Sequence, residues 1–349
     1  MVDGPPGDHR STPATAKKLP LPEAPSWHAG RLAFHQQHTA TTAHVGGETA
    51  LTPIQTPSIR GAGVIMRTML FVPGDKEKLL LKSLGLGTDA VIWDIEDAVA
   101  LPEKELARTN IGHAFEAAPA KHVPVYVRIN ACGSNMLDAD LKQIVRPHLS
   151  GVILSKAESP EQVRELDSAL SRLEAANGLA AGAVKINCLI ETCLGVLHAY
   201  ALATASPRVG GVSFGAEDFT LDLGTARTRE GDDLAYARAA VAVAAGAAKV
   251  LAIDTVFSDL NDESGLANEC RMARQLGFKG KFAIHPKQLE TINREFSPSD
   301  SEVVYAEKVV LAFRQAQAEK RGVITVDGKM IDGPIVERAK LILRLKGEN

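Results

Sequence analysis

From Arg67 onward the chain repeats one unit, a short β-rich apolar run followed by a helix-length amphipathic segment. Strands that alternate with helices pair in parallel, because each helical crossover returns the chain to the same edge of the sheet. The β-rich runs fall at 68–72, 90–93, 123–129, 151–154, 184–190, 211–214, 251–254 and 281–284. Helical patterns at 76–84, 101–117, 159–175, 234–247, 265–276 and 286–294 lie between and after them. Eight such units predict an α/β fold of the (β/α)8 TIM-barrel type, which takes about 250 residues. The first turn, Val72-Pro73-Gly74-Asp75, carries no GxGxxG, which weakens the alternative of a doubly wound dinucleotide-binding sheet.

The full 349 residues leave room for extensions on both sides of a barrel assigned to 63–298. Residues 1–62 are rich in Pro, Thr, Ala and Gly and show no sustained apolar period, which predicts a disordered N-terminal arm. That arm carries His9, His28, His35, His38 and His44 at irregular spacing, read here as solvated side chains rather than a metal site. Its opening, Met1-Val-Asp-Gly-Pro-Pro, lacks the basic and apolar regions of a secretory signal, so a cytoplasmic protein is expected. A transit peptide leading to the mitochondrial matrix is the second reading of the same segment. At 299–349 a helix-like stretch, a strand-like run at 323–326, the turn Asp327-Gly328-Lys329 and a helix from Pro334 form a C-terminal helical extension. It is expected to lack a core of its own and to pack as a lid on this barrel or on a neighbouring subunit.

A net charge of −3 with 23% charged residues leaves no basic excess for a nucleic acid, and no apolar stretch approaches the roughly 20 residues of a membrane span. Cys132, Cys188, Cys193 and Cys270 are scattered without a CxxC pair, so neither a disulfide framework nor a structural zinc site is expected.

Parallel barrels carry their active sites at the C-terminal ends of the strands. The residues there are Asp94-Ile95-Glu96-Asp97, Arg128-Ile129-Asn130, Lys156-Ala157-Glu158, Glu191-Thr192, Gly215-Ala216-Glu217-Asp218 and His285-Pro286-Lys287. Carboxylates gathered at one mouth repel one another unless a cation neutralises them, and all-oxygen ligation suits Mg²⁺, with Mn²⁺ the other hard ion in question. Because Mg²⁺ keeps positions open for substrate oxygens, a chelating 2-oxo acid is the expected substrate class.

The runs Arg67-Thr-Met-Leu-Phe-Val-Pro-Gly, Trp93-Asp-Ile-Glu-Asp-Ala-Val, Val127-Arg-Ile-Asn, Leu189-Ile-Glu-Thr, Gly215-Ala-Glu-Asp-Phe and Asp327-Gly-Lys-Met-Ile-Asp resemble, in that order, the citrate lyase β-subunit-like branch of the HpcH/HpaI aldolase superfamily. The likeness spans roughly 66–346. It implies a Mg²⁺-dependent carbon–carbon lyase that cleaves or forms a 3-hydroxyacyl-coenzyme A such as malyl-, citramalyl- or citryl-CoA, giving acetyl-CoA and a 2-oxo acid. By the same resemblance Glu191 and Asp218 are the metal ligands, and Arg128 binds the carboxylate and carbonyl oxygen of the oxo acid. Glu96 and Asp97 hold metal-bound waters, and Arg67 and Lys156 meet the CoA or substrate. Asp332 moves the proton at carbon after entering a neighbouring subunit's site, so Asp332, Arg128 and Glu96 form the catalytic set in a homotrimer or homohexamer.

Each of these residues also has a structural role open to it. Asp94, Glu96 and Asp97 can form a polar turn, Arg128 an ion pair, and Glu191 and Asp218 helix caps, while Asp332 can cap the helix that begins near Pro334. His285 is left unassigned. Two other functions stay open: a metal-dependent aldolase acting on a free 2-oxo acid without CoA, and a non-catalytic acyl-CoA-binding subunit.

Overall fold

The computed structural model describes Met1, Gly4, 66–319 and 323–347, so the N-terminal arm apart from Met1 and Gly4, with its five histidines, lies outside the described residues. The chain divides into two units, Met1–Gln55 and Thr56–Asn349, and every element below belongs to the second.

Eight parallel strands close into a barrel in simple sequence order: β1 (Thr68–Pro73), β2 (Ala90–Asp94), β3 (Val125–Ile129), β4 (Leu149–Leu154), β5 (Lys185–Ile190), β6 (Val209–Phe214), β7 (Leu251–Asp254) and β8 (Gly280–Ala283). The expected runs lie within a few residues of these bounds. Around them pack α1 (Glu77–Ser83), α2 (Lys104–Ala117), α3 (Leu137–Ile144), α4 (Pro160–Ala176), α5 (Cys193–Thr204), α6 (Ala216–Leu223), α7 (Ala235–Ala248), α8 (Glu263–Leu276) and α9 (Leu289–Phe296). Among the described residues no helix is long and apolar enough to cross a membrane.

Strand side chains alternate between two apolar layers, as a period of two requires. Met69, Ile92, Ile153, Leu189, Ile253 and Phe282 form a cluster separate from the larger one, in which Leu70, Val91, Val127, Val152 and Val212 meet the helices. The smaller cluster fills the inside of the barrel, so this is a packed core with no pore through it. Closure is tight where β8 rejoins β1: a Cβ at Gly280 would stand 1.9 Å from the Met66 carbonyl oxygen. Gly280→Ala is expected to cost about 3 kcal/mol, the upper end for overpacking, and to appear as a lower urea midpoint at unchanged m.

Helices α3, α5 and α6 were not picked out from sequence. Two are only eight residues long, and α5 is apolar on several faces, with Leu197 and Tyr200 exposed, so it lacks the one-sided stripe that marks an amphipathic helix.

After the barrel come α10 (Asp300–Ala318), the antiparallel pair β9 (Ile324–Val326) and β10 (Lys329–Ile331), and α11 (Gly333–Gly347). The hairpin turns on Asp327 and Gly328, both with positive φ (47° and 76°), the conformation a two-residue hairpin favours. The expectation that this tail lacks a core is corrected. Val309, Val326, Ile331, Val336 and Ala339 bury one another in an apolar cluster separate from those of the barrel, because α10 and α11 pack together and the hairpin closes against α10.

Candidate active site

Asp94, the last residue of β2, is fully buried and spends both oxygens twice. Oδ1 accepts from the Glu96 amide (2.8 Å) and Arg128 Nε (2.8 Å), and Oδ2 accepts from the Ala98 amide (3.1 Å) and Arg128 Nη2 (2.5 Å). One carboxylate thus shapes the turn after β2 and fixes the guanidinium from β3. The third corner of that guanidinium, Nη1, faces Glu96 Oε2 at 3.1 Å and Asp97 Oδ2 at 3.8 Å, and its carbon lies 4.9 Å from the centre of the Phe71 ring. Burial opposes the charge on Arg128, but Asp94, Glu96 and Glu191 outweigh it, and the group is held above its usual range.

Glu191, just past β5, is buried, and its Oε1 accepts from the Lys156 amide at 2.7 Å. Lys156 takes a left-handed conformation (φ 49°) to present that amide. Burial first, and the negative charge of Asp218 second, push the Glu191 carboxyl up to about 8, with Glu96 adding to the repulsion. Gly215, the residue after β6, makes room: a Cβ there would stand 2.7 Å from both Cβ and Oε2 of Glu191. The Asp218 carboxylate, in the first turn of α6, lies 3.3 Å from Lys156 Nζ, which is also 3.7 Å from Glu96 Oε1. Glu96 too is raised, chiefly by burial and against the pull of Arg128. The Lys156 ammonium therefore sits among Glu96, Asp218 and Glu191 as the local cation, held charged by those carboxylates although burial works against it.

An all-oxygen set that holds a proton toward pH 8 for want of positive charge fits a hard divalent ion. Among the described residues no three or more His, Cys, Asp or Glu side chains form a complete metal cage. Mg²⁺ asks for less, since one or two carboxylates suffice and water or substrate fills the other positions. The group opens on a cleft of about 250 Å³ at the barrel mouth, where Phe71, Leu189, Phe214 and Phe282 supply apolar walls. A slightly larger cavity, about 320 Å³, lies at the other end of the strands and has no carboxylate in its lining.

Most of the residues named from sequence thus meet: Glu96, Asp97, Arg128, Lys156, Glu191 and Asp218. Arg67 does not. It precedes β1, at the opposite end of the strands, where Nε and Nη2 bind the two oxygens of Asp89 at 2.9 Å and Nη1 reaches Ser297 at 3.0 Å. Within this chain Arg67, expected to meet substrate or CoA, ties β1 to the loop before β2 and the end of α9, because the barrel keeps the two ends of a strand apart. Asp332 stands before α11, where Oδ1 accepts from the Ile335 amide at 3.4 Å, and it is absent from the residues lining the mouth cleft of its own chain. His285 Nδ1 accepts from the Lys287 amide at 3.1 Å and so shapes the turn after β8. Asp94, expected among the rim residues without a role of its own, proves to be the anchor of Arg128. Lys104 belongs to the site's frame too and is absent from the sequence reading; the signal for it is a cation in the first turn of a helix.

Residues 67–286 match the HpcH/HpaI aldolase/citrate lyase family. The β subunit of citrate lyase from Haemophilus influenzae is 39% identical over 279 residues, covering 80% of this chain and 96% of that one. The mitochondrial citramalyl-CoA lyase of Rattus norvegicus is 32% identical over 289 residues, covering 80% and 85%. Among solved structures, CitE of Mycobacterium tuberculosis in complex with magnesium, acetoacetate and coenzyme A superimposes with a TM-score of 0.68 at 31% identity, covering 82% of this chain and 99% of that one. The chain belongs to the HpcH/HpaI aldolase/citrate lyase family and is a carbon–carbon lyase.

Proposed function

We propose that this protein is a Mg²⁺-dependent lyase for a 3-hydroxyacyl-CoA of the malyl-, citramalyl- or citryl-CoA type, releasing or condensing acetyl-CoA and a 2-oxo acid. The observation that carries the reading is the convergence of Arg128, Glu191 and Asp218 on one cleft, with Glu96 paired to Arg128 behind them and the Glu191 carboxyl raised by burial and by Asp218. The magnesium and CoA bound to the M. tuberculosis relative support it.

Glu191 and Asp218 are the residues that would hold the metal, with Glu96 and Asp97 beside its waters. Bound there, Mg²⁺ supplies charge to the oxygen that alternates between hydroxyl and oxo group. Arg128, pinned by Asp94, is aimed before substrate arrives and adds charge-assisted hydrogen bonds to the oxo-acid oxygens at no cost of reorganisation. In cleavage the hydroxyl proton leaves, the carbon–carbon bond breaks, and its electrons pass into the thioester enolate. Glu96, whose proton affinity burial raises, is the acceptor for the hydroxyl proton. Asp332 of a neighbouring subunit protonates the enolate carbon, and in condensation it takes a proton from the acetyl-CoA methyl group, as reversibility requires.

The deciding experiment is an assay of the purified chain with Mg²⁺ against the three thioesters, detecting released oxo acid. Asp332→Asn is expected to lower kcat by about a hundredfold or more, the scale of general acid–base catalysis, while leaving Mg²⁺ binding intact. Mixing Asp332→Asn with Glu191→Ala subunits is expected to restore part of the turnover that each lacks alone, because an intact site then forms from two chains. No restoration in a mixed oligomer would place the proton carrier within one chain. Turnover of free hydroxy acids without CoA would instead favour the aldolase.

A further inference from the structure

Lys104 is the first residue of α2, where the exposed amides of a helix disfavour a cation. Its side chain is nonetheless buried, and the ammonium donates to the carbonyl oxygens of Ile95 and Glu96, both at 2.6 Å, and to Asn130 Oδ1 at 3.2 Å. All three donors are spent on neutral oxygens. Among the described residues no carboxylate lies within ion-pair distance of it. A buried charge without a counter-ion is costly unless hydrogen bonds compensate, so the three oxygens it grips account for its presence.

Those oxygens stand just past β2 and β3. Asn130 is fixed in turn by Asp140, whose Oδ2 accepts from its amide at 3.0 Å and from Nδ2 at 2.7 Å, while Arg108 Nε holds Asp140 Oδ1 at 2.8 Å. Asp94 caps the same turn through the amides of Glu96 and Ala98. The backbone that carries Glu96 is therefore held through its carbonyls by Lys104 and through its amides by Asp94.

We propose that Lys104 is a positioning residue: its buried ammonium sets the backbone at 95–96 and thereby aims the Glu96 carboxylate at Arg128 and Lys156. This inference rests on the reading of Glu96 as a partner of the metal's waters. It predicts that Lys104 matters only through Glu96.

The test is a double-mutant cycle of Lys104→Met with Glu96→Gln in the full chain, read as the Mg²⁺ dissociation constant by calorimetry and, separately, as kcat. Lys104→Met is expected to weaken Mg²⁺ binding by about tenfold with Glu96 present, the scale for groups that support metal ligands, and by less than about twofold in the Glu96→Gln background. Lys104→Arg, which keeps the charge, is expected to recover part of the affinity, and Lys104→Gln, which removes the charge but keeps a polar head, replaces Lys104→Met in the cycle if that variant does not fold. Equal weakening in both backgrounds, or a lower Tm with unchanged Mg²⁺ affinity, would overturn the proposal and leave Lys104 a helix-start anchor. A wild type that binds Mg²⁺ and completes the cycle but turns over no thioester would sink the substrate reading while upholding the positioning role. A wild type that binds no Mg²⁺ would overturn both.

Discussion

Arg128→Ala is expected to cut kcat/KM by about a thousandfold, the loss typical of a donor aimed at developing oxyanion charge. It is also expected to destabilise the protein by about 3–5 kcal/mol, because Asp94 is fully buried and loses the cation that neutralises it. The two losses have separable causes. In the double variant Arg128→Met with Asp94→Asn, the uncompensated charge is gone, so stability measured by urea denaturation should recover most of its loss while turnover stays low. Recovery of both together would mean that Arg128 supports the fold and does not meet the substrate.

Glu191→Gln is expected to abolish Mg²⁺-dependent turnover and, in the metal-free protein near pH 8, to raise the melting temperature. The sign follows from the carboxyl's displacement from an ordinary 4.5 to about 8. Between those values the unfolded chain has released this proton and the native chain keeps it, so stability falls as pH rises through the window. Its contribution is fully present below about 4.5 and lost once pH passes about 8. The amide cannot ionise, and the difference between wild type and variant should therefore grow from pH 5 to pH 8. Saturating Mg²⁺ should reverse it, raising the wild type's melting temperature and leaving the variant's unchanged. Parallel metal-free pH profiles would show that the carboxyl is not displaced, and equal stabilisation of both proteins by Mg²⁺ would remove Glu191 from the metal's ligands.

The legible and illegible parts of this molecule divide along physical lines. Strands β1 to β8 were readable because each is a compact apolar run bounded by turn residues, and their count fixes closure. The rim carboxylates and Arg128 were readable because a polar residue directly after such a run has few places to go except the mouth. What escaped depends on partners distant in sequence. Arg67 lies beside a strand like the other candidates, but at its opposite end, and only the pairing with Asp89 and Ser297 reveals its task. The tail's apolar cluster escaped because its residues are spread over α10, the hairpin and α11 and meet only once α10 packs on α11. Lys104 stayed hidden because a lysine near a helix start normally means a solvated side chain; its burial comes from the way α2 folds back over the turn after β2.

The pairing of Asp94 with Arg128 has a further consequence, for how errors in assembly are caught. The two residues are register partners across β2 and β3. A slip of one residue in either strand would turn one of them away from the barrel interior, since side chains alternate from face to face. Such a slip would carry either a bare carboxylate or a bare guanidinium into the apolar layer under the helices. The clamp that readies the site for an anion thus doubles as a proofreading mark, and among these strands correct registration and a functional mouth are reached in the same step.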